Sequence, residues 1–147
     1  MIEGVLVTKG EEAIHDIYEQ LPLVDWYYSL YSTDAVVDQW GDYSREIGER
    51  VAKAGVYVKE LIAGNNRPVP YADYYNNETQ EIRYLPRETK IDTDLIVFEG
   101  RVVLISYDDL KVITIDDDAI FQTVKQMFEM LWEGTPMFID VEKLLST

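Results

Sequence analysis

The chain has 147 residues, with 28 Asp and Glu against 13 Lys and Arg and a net charge of −15. That length fits one domain, residues 1–147, and an apolar content of 47% suffices for a real core. The acid excess argues against direct nucleic-acid binding and against docking on anionic lipid, both of which need clustered cations.

No Cys is present, so disulfides, thiol nucleophiles and thiolate metal sites are excluded. No run approaches the ~18 apolar residues of a membrane span. Met1-Ile2-Glu3-Gly4 lacks the basic and apolar regions of a signal peptide, so the cytoplasm is the expected compartment.

In chain order, Val5-Leu6-Val7 reads as a strand, punctuated by Gly10. Ala13, Ile14, Ile17, Tyr18 and Leu21 follow at helical spacing, and Pro22 stops that helix. Leu23 to Tyr31 reads as a buried aromatic strand. Thr33-Asp34 opens a short helix to about Trp40, Gly41-Asp42 breaks it, and a second helix runs from Tyr43 to Ala54 with Gly55 as its C-cap. Val56 to Ile62 is a third strand. Residues 63–80 form a loop containing Gly64-Asn65-Asn66, Pro68 and Pro70. Glu81 to Leu85 is a short strand, and Leu95–Phe98 with Val102–Ile105 make a hairpin around Glu99-Gly100-Arg101.

A strand at Val112 to Ile115 precedes the longest helix. Its apolar positions are Ile120, Phe121, Val124, Met127, Phe128, Leu131 and Trp132, and Gly134 and Pro136 stop it. The tail from Met137 to Thr147 is apolar enough to pack as a last turn. The economical architecture is α/β, a mixed sheet flanked by helices on both faces.

The chemical motifs are sparse. No GxGxxG, GxxxxGK[ST] or GxSxG occurs, and no cofactor is expected. Asp116-Asp117-Asp118 reads as a solvated helix N-terminus rather than a cation site, because the alternating ligands and glycine of a calcium loop are missing. No metal site is expected. His15 is the single His and reads as an ordinary helix residue. Aromatic residues are the more informative supply. Trp26, Tyr27, Tyr28 and Tyr31 share one strand and read first as core. Tyr71, Tyr74 and Tyr75 share one long loop, where covering a ligand and covering the core are about equally good readings.

Three stretches carry a family resemblance: Glu81 to Pro86, Ile91 to Ser106, and the ending from Ile120 to Trp132-Glu133. Together they resemble the C-terminal domain of TrmB-type transcriptional regulators, over about residues 4–133. The resemblance implies a phospholipase-D-like fold. Active members of that superfamily carry HxKxxxxD followed by a Gly-Ser pair. Set on Glu99-Gly100, that frame puts Asp92 at the His position, Asp94 at the Lys position, Glu99 at the acid and Ser106-Tyr107 at the Gly-Ser pair. Only the final acid survives in kind. A carboxylate in place of the Lys repels phosphate, and Asp92 offers no nitrogen nucleophile. The frame therefore implies a chain that is not an enzyme.

The resemblance further implies a regulator's sensing domain, with a sugar-like effector and a homodimer as partners. Asp92, Asp94, Glu99, Tyr71, Tyr74 and Tyr75 are the expected effector-binding residues. The winged helix of such regulators is expected to be absent, so direct nucleic-acid binding is not expected of this chain. The competing reading is a standalone protein-interaction module with no ligand, offering Phe121, Met127, Phe128 and Trp132 to a partner or twin. The plainer account of that stripe is intramolecular core. A third reading, an enzyme built on an acid/base carboxylate pair, has little support, since 28 acids bring some pairs together by chance.

Overall fold

The protein was analysed as a computed structural model that describes residues 3–63, 78–86 and 88–135, with the backbone alone over 33–39. The elements are β1 (Val5–Lys9), α1 (Glu11–Tyr18), β2 (Trp26–Ser32), α2 (Thr33–Ala54), β3 (Tyr57–Ala63), β4 (Gln80–Tyr84), β5 (Thr93–Phe98), β6 (Arg101–Ser106), β7 (Lys111–Asp116) and α3 (Asp118–Glu133). A 3-10 turn at Leu21–Leu23 carries Pro22. None of the described helices is long and apolar enough to cross a membrane.

The strands make one seven-stranded sheet in the order β1-β7-β6-β5-β2-β3-β4. β2, β3 and β4 are parallel neighbours, and the remaining pairings are antiparallel. The mixed pattern follows from the connections. A 22-residue helix, α2, joins β2 to β3 and permits the parallel crossover, whereas Glu99-Gly100 can join β5 to β6 only antiparallel. Both turn residues have positive φ, 49° and 76°, as a two-residue hairpin whose twist matches its strands requires. Gly4 is also confined to glycine. Its φ is +81°, and a Cβ there would stand 2.8 Å from the carbonyl oxygen of Asp116.

Strand alternation sorts the sheet into two buried faces. Tyr27 and Tyr31 of β2 join Ile14, Tyr18, Trp40, Ile47 and Val51 beneath α1 and α2. Tyr28 and Leu30 point the other way, towards Phe128 and Trp132 of α3. The expected architecture, helices on both faces of a mixed sheet, is what the structure shows.

One helix boundary differs from expectation. Gly41-Asp42 does not break the chain, and α2 runs without interruption from Thr33 to Ala54. Trp40, Ser44, Ile47 and Val51 form one buried stripe across Gly41, and their burial outweighs the modest helix penalty of one glycine. Pro22 likewise is not the stop of α1, which already ends at Tyr18. Gly55 caps α2 as expected, in the left-handed region at φ 71°. At the other long helix, the Asp117 carboxylate caps α3 by accepting from Ile120 N at 2.9 Å. The far end of α3 is pinned to β4, where Arg83 donates to the carbonyls of Trp132 and Thr135 at 2.7 and 3.2 Å.

Two substitutions test these helix assignments. A Cβ at Gly41 would meet nothing within 4 Å, so Gly41→Ala is expected to raise stability by about 0.5–1 kcal/mol. Asp117→Ala removes a cap and is expected to lower stability by about 1 kcal/mol. Urea unfolding midpoints check both, and a break in α2 at Gly41 would make the first substitution neutral or harmful.

Candidate functional site

The carboxyl ends of β2 and β3 and the start of β5 meet at one end of the sheet, the end where α/β proteins commonly place their sites. Asp94, the second residue of β5, lies there with only 1% of its surface exposed. Its burial follows from strand alternation: Asp94, Ile96 and Phe98 point to the α1/α2 face, while exposed Asp92 lies outside the strand.

A buried carboxylate needs hydrogen-bond donors. Asp94 finds them on three separate segments. Ser32 N, at the entry to α2, donates to Oδ1 at 3.0 Å. Tyr107, just after β6, donates to Oδ2 at 2.9 Å, and Tyr18 of α1 reaches the same oxygen at 3.4 Å. The hydroxyls of Tyr18 and Tyr107 also lie within hydrogen-bonding reach of each other; with one proton each, they satisfy two of these three contacts at a time while the carboxyl is ionised. Burial pushes the Asp94 carboxyl up to about 7, against the opposing pull of these three donors. Burial likewise raises both tyrosine hydroxyls well above their ordinary range, so they stay protonated and serve as donors. Tyr31 of β2 and Glu60 of β3 lie in the same buried layer, near enough to bear on Tyr18.

Of the other expected site residues, Asp92 and Glu99 do not assemble around Asp94. Glu99 sits exposed in the β5–β6 turn, at the opposite end of β5, paired with Arg101 at 3.1 Å. Five residues of extended chain put it about 16 Å away. Asp92 stays near Asp94 in sequence but faces solvent. Tyr71, Tyr74 and Tyr75 lie outside the described residues. Asp117 is a helix cap and Asp118 belongs to the first turn of α3. His15 is exposed, with its ring 4.4 Å from that of Tyr43 and edge-on to Trp40 at 5.2 Å.

The expected interface stripe needs correction. Phe121, Phe128 and Trp132 are buried at 6%, 2% and 2% exposure against the sheet, and only Met127 of the four faces outward, at 58%. Phe128 stacks on Tyr28 at 4.8 Å, and Phe121 lies 6.2 Å from Trp26. Helical spacing identified the apolar stripe, and β2 is its partner.

Sequence reasoning missed Tyr18 and Ser32 as parts of this cluster. Tyr107 was within reach, since it holds the second position of the Gly-Ser pair in the frame. The other two are 76 and 62 positions from Asp94, and no local pattern links them to it.

Chemically, the cluster is a closed hydrogen-bonded knot. Both carboxylate oxygens are engaged, and the donors are phenols and a backbone N–H. It can take up or release a proton near neutral pH. The linkage has a definite sign. The folded carboxyl titrates near 7, above the unfolded value of about 4, so Asp94 contributes most to stability below pH 4. That contribution is lost as pH rises from about 4 through 7 and is flat above. The isosteric Asp94→Asn should abolish this segment of the stability profile. Urea unfolding of both chains between pH 4 and 8 checks it, and parallel profiles would mean that Asp94 does not titrate in that window.

No protein-family model matches the chain, and no curated protein matches it in sequence. Solved structures do. TrmBL2, an archaeal chromatin protein with a novel mode of DNA binding, aligns at TM-score 0.63 and 18% identity, over 92% of this chain and 55% of its own. This chain thus spans little more than half of TrmBL2. NucT from Helicobacter pylori aligns at TM-score 0.66 and 11% identity, over 91% of this chain and 98% of its own. Nuc from Salmonella typhimurium, a phospholipase D family member, aligns at 0.65 and 15% identity, over 91% and 97%. At these identities the likeness speaks for the backbone alone, and it agrees with the motif resemblance: the chain has a phospholipase-D-like α/β fold.

Proposed function

We propose that this chain is a non-catalytic phospholipase-D-like domain that serves a transcriptional regulator, by responding to a small effector and by pairing with a second copy. The observation that carries the reading is Asp94. In the motif frame it stands where an active member holds phosphate with Lys. Here that position is a buried carboxylate whose two oxygens are bonded to Ser32, Tyr18 and Tyr107. Phosphate meets a carboxylate in place of a cation, and Asp92 cannot form a phosphoramide as the frame's His would. The single His of the chain sits on α1 against Tyr43 and Trp40. Likeness to TrmBL2, NucT and Nuc supports the shared scaffold, and the choice of a regulator's domain rests on the residues of the frame and on the sequence resemblance.

Pairing has its own support. Met127, Met130 and Leu131 leave 58%, 68% and 49% of their surface exposed along the outer side of α3, and Val7 of β1 is 53% exposed. Large apolar side chains gathered on one helix side are a common mark of a protein contact.

The test has two arms. Incubation with bis(p-nitrophenyl) phosphate and with single-stranded DNA is expected to give no turnover, and hydrolysis that disappears in Asp92→Asn would overturn the non-catalytic reading. Thermal unfolding against a panel of sugars, read together with sedimentation velocity, is expected to show a ligand-dependent rise in Tm on a dimer. A monomer that no panel member stabilises would sink the sensing and pairing part.

A further inference from the structure

A groove of about 410 Å³ opens at the amino ends of β2, β3 and β4, on the α3 side of the sheet and at the opposite end from Asp94. That volume suits a small molecule. Its floor follows from the parallel register. Trp26 pairs with Tyr57 and Tyr28 with Lys59, so two aromatic residues of β2 lie beside an aromatic and a cation of β3. The rings of Trp26 and Tyr28 are 4.8 Å apart and tilted, and Tyr57 is 62% exposed.

Two ammonium groups flank this floor from different layers. Lys59 Nζ rises from the sheet, 5.7 Å from the Tyr28 ring centre and 5.5 Å from that of Trp132. Lys125 Nζ comes down from α3, 5.6 Å from the Trp26 ring centre. Three carboxylates are close by. Glu81 is bound by Arg83 at 2.6 Å, and Glu129 accepts the Tyr28 hydroxyl at 3.1 Å and pairs with Lys125, one helical turn away, at 3.8 Å. Exposed Glu78 also lines the groove. No ion pair joins Lys59 to a carboxylate among the described residues. In a chain with 28 acids and 13 cations, two ammonium groups left with donors to spare over one aromatic floor are uncommon placements.

We propose that this groove binds a flat aromatic or heteroaromatic ring carrying one carboxylate or phosphate group. The ring stacks against Trp26 and Tyr57, which line the groove together with Tyr28. The anion sits between Lys59 and Lys125, whose ammonium groups donate charge-assisted hydrogen bonds. The proposal rests on the sensing reading only in treating the bound molecule as an effector; the groove itself is independent of Asp94.

The test uses two ring anions, indole-3-acetate and adenosine 5′-monophosphate, with indole and adenosine as their neutral parents. Binding is read by quenching of tryptophan fluorescence, since Trp26 lines the groove, and by the shift in Tm. Saturable binding of at least one ring anion is expected, with its neutral parent weaker. Which anion binds identifies carboxylate or phosphate as the recognised group. Lys59→Met keeps the aliphatic stem and the fold, and is expected to weaken binding about tenfold or more. Trp26→Leu should abolish it. The proposal is overturned if neither anion gives saturable binding, if the neutral parents bind as tightly, or if Lys59→Met binds as the parent chain does. A Tm response to a sugar that survives Lys59→Met would leave the sensing reading intact while removing this groove from it.

Discussion

The organising constraint in this chain is a carboxylate that the sheet holds away from water. Asp94 is buried because β5 is a central strand and alternation turns that position inward. Burying it ionised and unbonded would cost far more than a small domain can spare. The structure meets that cost with hydrogen bonds and a raised proton affinity. The donors come from α1, from the β2–α2 junction and from the segment after β6. One buried polar group therefore ties together α1, the β2–α2 junction and the segment after β6. Fully bonded polar knots of this kind specify a single arrangement in a way that interchangeable aliphatic contacts do not.

The two faces of the sheet solve different problems. On the α1/α2 face, tyrosines bring apolar rings and polar tips at once, so Tyr18 and Tyr107 can fill volume and also serve buried Asp94. On the α3 face the aromatic residues stack on one another and on cations. Phe128 lies on Tyr28, and Arg83 lies 4.3 Å from the Trp132 ring centre while holding the end of α3. That face leaves its amino-end corner open, and Lys125 of α3 reaches into the gap.

What could be read from the residues was what local chemistry dictates. The positive-φ pair at Glu99-Gly100, the C-cap at Gly55 and the apolar stripe of α3 each depend on neighbours within a few positions. The break expected at Gly41 failed because a glycine's local penalty was weighed without the burial of Trp40 and Ile47 on either side of it. The motif frame placed Asp92, Asp94 and Glu99 in one line of text, but an extended strand carries Glu99 to the far end of the sheet. The stripe on α3 was legible as apolar, while its partner was not, since periodicity says that a face is covered and leaves open by what. The groove was the least legible feature. Trp26, Lys59 and Lys125 are far apart in sequence, and only the parallel register of β2 with β3 and the packing of α3 on Trp26 bring them together.

The placement of charge joins these points. A net charge of −15 spread evenly would leave every surface hostile to an anion. The acids are instead distributed unevenly in their engagements. Glu81 and Glu129 are drawn aside by Arg83 and Tyr28, and the Arg50 guanidinium and the Tyr43 hydroxyl lower the Glu19 carboxyl from its ordinary value. At the Asp94 end the sheet presents a carboxyl with no charged partner among its hydrogen bonds. At the amino-end corner of the same sheet Lys59 and Lys125 lie over the rings of Tyr28, Trp132 and Trp26. One backbone thus carries a buried acid at one end and a pair of cations over aromatic rings at the other, and the pairing of a few side chains sets the difference.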